Sequence, residues 1–403
     1  VTERTEPGPG LRPFFLSLFV PSAIFGLGTG AGAPMMALFA RELGASVPVA
    51  GLIVALVAFG AVLGDLPSGT VVARFGERRA IVLGSALGAT GVLVSLSAPT
   101  PAVLAVGATL TGFANAVWGL ARQSYLAGAL PLHMRARGIS ANAAMSRAGV
   151  FVGPFVGAGA VHLTGVSGGL IVQVVAIVVS GALVVNAAVP EPDRSERRSG
   201  GVIAVAASHR TVLGTLGVGA MLVGASRASR DAVLPLWADH IGVAPATVSL
   251  IFGVAAAVDV ALAYPAGVLM DRYGRRVTAV PALLLFGTAF LILPLSQQLW
   301  WLVVVAVVLG TANGMSNGIV MTLGADVSPP HARAEFLAAW RLTHDTGSFA
   351  GPLVVGAVAT VSLAGGATAI GALALVGAGV MYRYIPRYVP VPVAVPQDQR
   401  AAP

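Results

Sequence analysis

The sequence predicts an all-α membrane protein: twelve transmembrane helices forming two six-helix bundles related by a pseudo-twofold axis. Three observations carry this. Of the 403 residues 56% are hydrophobic and 10% charged, against roughly 25% charged in a soluble domain. Apolar runs such as LIVQVVAIVVSGALVVNAAV have the length of about 20 residues that a spanning helix needs and exceed what a membrane strand uses, which excludes an outer-membrane barrel. The two halves of the chain also repeat one another at a single offset.

Apolar runs set against Pro, Gly and charge breaks place spans at about 13 to 38, 48 to 71, 78 to 97, 101 to 125, 138 to 163, 168 to 189, 211 to 237, 246 to 270, 277 to 296, 299 to 325, 334 to 362 and 364 to 384. The first lacks a small-residue cleavage site followed by a soluble stretch, so it is expected to be a retained helix. Arg41 follows it, in the first outside loop. The second span ends in PSGTVVARFGERR, the fourth holds GFANA and the fifth GVFVGP. PEPDRSERRSGG then interrupts the apolar pattern after the sixth. It divides the chain into an amino-terminal bundle over 1–189, a cytoplasmic linker over 190–210, a carboxy-terminal bundle over 211–385 and a disordered tail over 386–403. The seventh span contains GASRASRDAVLP, and the eighth ends in PAGVLMDRYGRR. Trp300 and Trp301 precede the tenth, where an interfacial aromatic belt belongs.

All 24 basic residues counted in the chain are arginines. With both termini cytoplasmic, Arg4, Arg12, Arg74, Arg78, Arg79, Arg135, Arg137, Arg194, Arg197, Arg198, Arg210, Arg272, Arg275, Arg276, Arg333, Arg383, Arg387 and Arg400 fall inside, and Arg41 alone falls in an outside loop. This bias sets an orientation in the inner, cytoplasmic membrane. The formal charge of +8 is thus a topology signal, and no nucleic-acid partner is expected. The chain has no cysteine, and neither a His-rich metal motif, a Ser-His-Asp set nor a P-loop is visible. No metal, cofactor or enzymatic activity is expected, and the energy source is a gradient. The expected partners are a small-molecule substrate, protons and the lipid bilayer, with the protein a monomer.

The repeat runs at 198 residues: PSGTVVARFGERR lies over PAGVLMDRYGRR, GFANA over GTANG, Pro131 over Pro329, GVFVGP over GSFAGP, and LFARELG over LWADHIG. Five matches in one register point to a duplicated six-helix unit with its site between the halves. From Leu11 to about Arg383 the chain resembles the major facilitator superfamily. The family signature G-x-x-x-D-R-x-G-R-R is met by Gly267, Asp271, Arg272, Gly274, Arg275 and Arg276. The first copy keeps Gly69, Arg74, Gly76, Arg78 and Arg79 but has Ala73 for the aspartate and Glu77 for an arginine. The resemblance implies that this loop latches the two halves on the cytoplasmic side, more weakly in the first copy. Gly149, Gly153, Pro154 and Gly157 resemble a G-x-x-x-G-P-x-x-G pattern that the family associates with antiporting exporters. The arginine often found early in the family's fourth helix is absent, and Ala108 stands about there.

A charge in the membrane costs roughly 2.5–3.5 kcal/mol, so Arg227, Arg230 and Asp231 are expected to face a wet cavity or one another. Arg227 and Asp231, spaced i, i+4, either neutralise each other or hold a substrate anion or a proton. The family fold places helices 1, 4, 7 and 10 around a central cavity, which makes Thr29, Asn115, Trp118, Asn313 and Asn317 candidate wall residues. Asn115 and Asn313 are repeat mates, and each asparagine either meets ligand or bonds between helices. Arg122 either meets an anionic group or snorkels. In the family fold, helices 2 and 11 and helices 5 and 8 meet across the halves. Two gating pairs are therefore expected, Asp65 with Arg341 and Arg147 with Asp259, with His344 beside Asp345 as a group able to titrate near neutral pH. Asp231 and Asp259 are the candidate proton carriers. The expected function is proton-coupled export of small amphipathic compounds such as drugs or metabolites. The alternatives are organic-anion transport on Arg227, Arg230 and Arg122, and a non-transporting receptor or scaffold.

Overall fold

The computed structural model describes residues 15–129, 132–185, 202–329 and 332–389. Twelve long helices follow in order among these: α1 (Val20–Glu42, entered through a π-turn at Phe15–Phe19), α2 (Val47–Phe75), α3 (Glu77–Leu96), α4 (Pro101–Ala129), α5 (Leu132–Thr164), α6 (Ser167–Val185), α7 (Arg210–His240), α8 (Pro245–Tyr273), α9 (Arg276–Ile292), α10 (Leu299–Ser316), α11 (Arg333–Ala359) and α12 (Leu363–Tyr388). Among the described residues, eleven stretches are long and apolar enough to cross a bilayer. α11 is not among them, because Arg341, His344 and Asp345 interrupt its apolar run.

Two differences from the sequence reading stand out. Span 10 is discontinuous: α10 stops at Ser316, Gly318 takes a left-handed φ of +78°, and a second short helix runs Ile319–Val327. Glycine reaches that region without a Cβ clash, and the apolar sequence on both sides concealed the break. Within the expected linker Val202–Ser208 is helical, and α12 runs to Tyr388, past the expected start of the tail. Linker residues 190–201 and tail residues 390–403, with Pro131, lie outside the described residues.

Each half packs by the same scheme. In the first, α1 lies against α5 and α6, and α4 against α2 and α3; in the second, α7 lies against α11 and α12, and α10 against α8 and α9. The glycines explain why. A Cβ on Gly149 or Gly153 of α5 would collide with the carbonyl oxygens of Ala23 and Leu27 on α1. One on Gly347 or Gly351 of α11 would collide with those of Met221 and Ala225 on α7. All four contacts are related by the 198-residue offset. Small residues thus let the backbones touch where no hydrophobic drive operates between helices in lipid.

Between the halves, α2 packs on α11 and α5 on α8. At the ends where α1, α5, α7 and α11 finish, the arginine-poor face, a Cβ on Gly356 would stand 2.9 Å from the carbonyl oxygen of Pro48. On the other seam the Phe155 ring sits against Gly253. The opposite, arginine-rich face carries the α2–α3 and α8–α9 turns, each with a glycine at positive φ, Gly76 at +82° and Gly274 at +90°.

Candidate functional site

A cavity of about 220 Å³ opens between the halves, lined by Thr29, Gly32, Ala33 and Met36 of α1, Val54, Val57, Ala58 and Ala61 of α2, Thr111, Gly112 and Asn115 of α4, Gln173 of α6, and Ala228 and Asp231 of α7. Asp231 is the one charged group among these. Thr29 and Thr111 spend their hydroxyl protons on the carbonyls of Gly26 and Gly107, at 2.9 and 2.8 Å. Their oxygens remain acceptors. Asn115 Oδ1 and Gln173 Oε1 are buried without a hydrogen-bond partner. An orphaned buried polar atom costs about 1–3 kcal/mol, and because both residues line the cavity, a turn of either amide would offer an acceptor to whatever enters.

The helix 7 charges do not pair as their spacing implies. Asp231 takes its chain neighbour, with Arg230 Nε 3.2 Å from Asp231 Oδ1, and Arg230 also lies over the Phe252 ring. Arg227 reaches the helix break instead, where its Nη2 donates to Asn317 Oδ1 at 3.2 Å. Asn317 Nδ2 donates in turn to Asp259 Oδ1 at 2.5 Å, and Asn313 Nδ2 to Asp259 Oδ2 at 2.6 Å. Both asparagines therefore serve the α8 carboxylate and are not among the cavity-lining residues, and Asn313 does not oppose Asn115 across it. Arg147 is not paired with Asp259 as expected; its charge acts on Arg227. The carboxylate already has an amide on each oxygen.

Trp118 is also displaced from the expected wall. It is 3% exposed and stacks on Phe25 at 3.8 Å and 7°. Arg122 lies over the Trp118 ring at 4.8 Å, with Nε and Nη1 buried and unbonded. Seven residues separate Arg122 from Asn115 along α4, about 10 Å at helical rise. Neither ring nor guanidinium lines the cavity.

Of the two expected inter-half pairs, Asp65 with Arg341 is in contact, Nη2 to Oδ1 at 3.3 Å. Arg341 Nε also lies 3.4 Å from Asp345 Oδ2, and His344 Nδ1 2.9 Å from Asp345 Oδ1.

Among the described residues, the signature residues bond only within their own half. Arg275 bridges Asp271 at 3.1 Å and Asp326 at 2.8 Å, and the bond to Asp326 chiefly raises its pKa above the ordinary value. Arg272 lies over Tyr273 and Arg74 over Phe75. A Cβ on Gly69 or Gly267 would meet nothing within 4 Å. Glu77, in the place of a signature arginine, accepts from Ser124 Oγ at 2.9 Å. Among the described residues the implied latch across the halves is therefore not seen. Gly153 and Pro154 sit in an unbroken α5 whose Gly149, Gly153 and Gly157 face α1.

One contact escaped the sequence reading. Arg41 Nε lies 3.1 Å from Asp239 Oδ2, and Arg41 Nη1 donates to Ala45 O at 2.6 Å. Arg41 and Asp239 are repeat mates, 198 residues apart. They meet across the pseudo-twofold axis and bridge the halves at the arginine-poor face. Opposite charges at equivalent positions of the aligned LFARELG and LWADHIG were the available signal.

The profile of the Major Facilitator Superfamily matches residues 18–215 and again 216–402, one match to each half. Inositol transporter 4 of Arabidopsis thaliana is 26% identical over 161 residues, 39% of this chain and 28% of that protein; the match thus spans just over a quarter of the curated relative. Among solved structures, a D-xylose-proton symporter aligns with a TM-score of 0.73 at 15% identity, covering 94% of this chain and 99% of that one. A POT family transporter in complex with 5-aminolevulinic acid aligns with a TM-score of 0.77 at 12% identity, covering 96% and 99%. At such identities the structures speak for the fold. With both halves matched by the family profile, the chain belongs to the Major Facilitator Superfamily of membrane transporters.

Proposed function

We propose that this transporter works by alternating access as a proton-coupled exporter of small amphipathic compounds that carry a positive charge or hydrogen-bond donors. The observation that carries this is the cavity wall: apolar over most of its area, with one carboxylate, Asp231, and unspent acceptors at Asn115 and Gln173. Apolar walls with a few placed polar groups are the usual build of a small-molecule site. The arginine-rich face is cytoplasmic in this proposal, by the positive-inside rule, and the monomer sits in the inner membrane.

Asp231 and Asp259 are the candidate coupling groups. A carboxylate must change its charge between access states to link substrate movement to a proton gradient. Asp231 reaches both the cavity and Arg230. Asp259 is held by two amides that bear no charge.

The test is uptake of the amphipathic cation ethidium into vesicles under an imposed pH gradient. Asp231→Asn is expected to abolish gradient-driven accumulation. Full accumulation in both Asp231→Asn and Asp259→Asn removes the assignment.

A second reading is transport of organic anions. It is favoured by the positive charge of Arg147, which pairs with no carboxylate among the described residues and adds to that of Arg227 and Arg230. Competition separates the two: an anionic competitor such as benzoate that blocks uptake where cations and D-xylose do not supports the anion reading.

A further inference from the structure

We propose that Asp65, Arg341, Asp345 and His344 form a proton-binding site across the α2–α11 seam, whose occupancy decides how firmly the two halves hold together toward the arginine-rich face. The proposal rests on the proton-coupled reading but is tested by a different observable.

The geometry is that of a shared cation. Arg341 lies 3.3 Å from Asp65 on the other half and 3.4 Å from Asp345 on its own helix. The other oxygen of Asp345 lies 2.9 Å from His344 Nδ1. With a neutral imidazole, two carboxylates face one guanidinium, and the cluster carries one excess negative charge inside the membrane span. Such an imbalance is costly there, and one proton removes it.

His344 Nδ1 is turned to Asp345, which leaves Nε2 as the ring nitrogen that can accept a proton. Nδ1–H donates to Asp345, and Nε2 takes the incoming proton. Cationic His344 then satisfies Asp345, and Arg341 is left to Asp65 alone. Loss of the proton returns Asp345 to Arg341, as an i, i+4 pair within α11, and the bridge between the halves weakens.

Among the described residues, the charged and titratable groups that act on the two carboxyls belong to the cluster itself. Arg341 and Asp345 act on Asp65, His344 and Arg341 act on Asp345, and the Asp65 and Asp345 carboxyls also stand within hydrogen-bonding reach of each other. From α7 the imidazole edge meets Gly224, whose added Cβ would lie 3.2 Å from His344 Cδ2. Arg227, the nearest charge along α7, is turned to Asn317. α12 carries Arg383 and Arg387 only in its last turns.

Asp65 and Arg341 belong to different halves, so protonation here changes an inter-half contact directly. Asp231 and its partner Arg230 lie on one helix. That contrast distinguishes a proton that moves the halves from one that only meets substrate.

The test uses the full chain in nanodiscs, without substrate. Spin labels go on Phe75→Cys and Tyr273→Cys, repeat mates at the arginine-rich face that are 39% and 54% exposed. No native cysteine competes for the label. Their separation is followed by pulsed electron resonance from pH 5.5 to 8.5. The ratio of near to far populations is expected to fall about fivefold as pH rises, the scale of a single partly exposed ion pair. His344→Gln is expected to stay in the high-pH distribution throughout, and Asp345→Asn in the low-pH distribution. Opposite effects from adjacent residues on one helix are not what general damage to α11 produces.

A wild-type distribution that does not change with pH overturns the proposal, as does a wild-type response retained in His344→Gln. Gradient-driven ethidium uptake lost only in Asp231→Asn, with the spin-label response absent, overturns this site and leaves the transport reading intact.

Discussion

Reversing the charge of Asp239 should open the arginine-poor face. In the structure Arg41 and Asp239 meet at 3.1 Å with side chains 36% and 40% exposed. A pair that wet contributes about 0.2–1 kcal/mol, so Asp239→Asn shifts the balance toward the open arrangement by a factor between about 1.4 and 5. Asp239→Arg removes that attraction and sets two guanidinium groups near one another. At about 4 Å like charges repel by about 1 kcal/mol in water and about 4 kcal/mol in the intermediate dielectric of a protein surface. The reversed variant should therefore open the face by at least a further fivefold. Met36 reports on it, being 5% exposed and lining the cavity. In a Met36→Cys background the thiol is the chain's one cysteine, and its rate of labelling by an impermeant maleimide applied from the arginine-poor side measures the opening. The double swap Arg41→Glu with Asp239→Arg should bring the rate back toward the starting value. Labelling in Asp239→Arg that stays within twofold of the parent refutes the gate, and so does a double swap no slower than the single reversal.

Three further outcomes follow from contacts in the structure. Gly153→Leu and Gly351→Leu drive a side chain into the carbonyls of Leu27 and Ala225. Each should lower thermal stability in detergent by about 1–3 kcal/mol, whereas Gly159→Leu, with nothing within 4 Å of its Cβ, should not. Asn317→Leu strips one donor from Asp259 and the acceptor from Arg227; hydrogen bonds to charged groups contribute about 1.5–3 kcal/mol, so ethidium transport should fall at least tenfold, and unchanged transport would remove Asn317 from the coupling network. Asn115→Leu replaces an unbonded buried amide oxygen with an apolar group, so the melting temperature should hold or rise while transport falls.

The periodic features were legible in the amino-acid order because membrane physics writes them locally. Apolar length marks α6, and arginine placement separates the two faces. α11 shows where hydropathy is weakest: Arg341, His344 and Asp345 break its run, although the apolar stretches around them still placed a span at 334 to 362. The break at Gly318 was hidden because Asn317 and Gly318 sit inside a stretch that stays apolar on either side. Asp65 with Arg341 could be anticipated, since depth along two facing helices constrains it. Arg227 and Asp231 could not be resolved that way. Spacing permitted their pairing, but the choice among Arg230, Asn317 and Asp259 depends on which helices bring donors near. Trp118 reads as a wall residue by depth and turns out buried against Phe25, because depth does not fix rotation about the α4 axis.

The most direct measurement is ethidium accumulation by the purified protein in vesicles, wild type beside Asp231→Asn, with the pH gradient imposed in either direction or collapsed. Alternating access through this cavity with proton coupling predicts accumulation on the acidic side that disappears on collapse and is absent in the variant. Accumulation indifferent to the gradient, or equal in the two proteins, contradicts it.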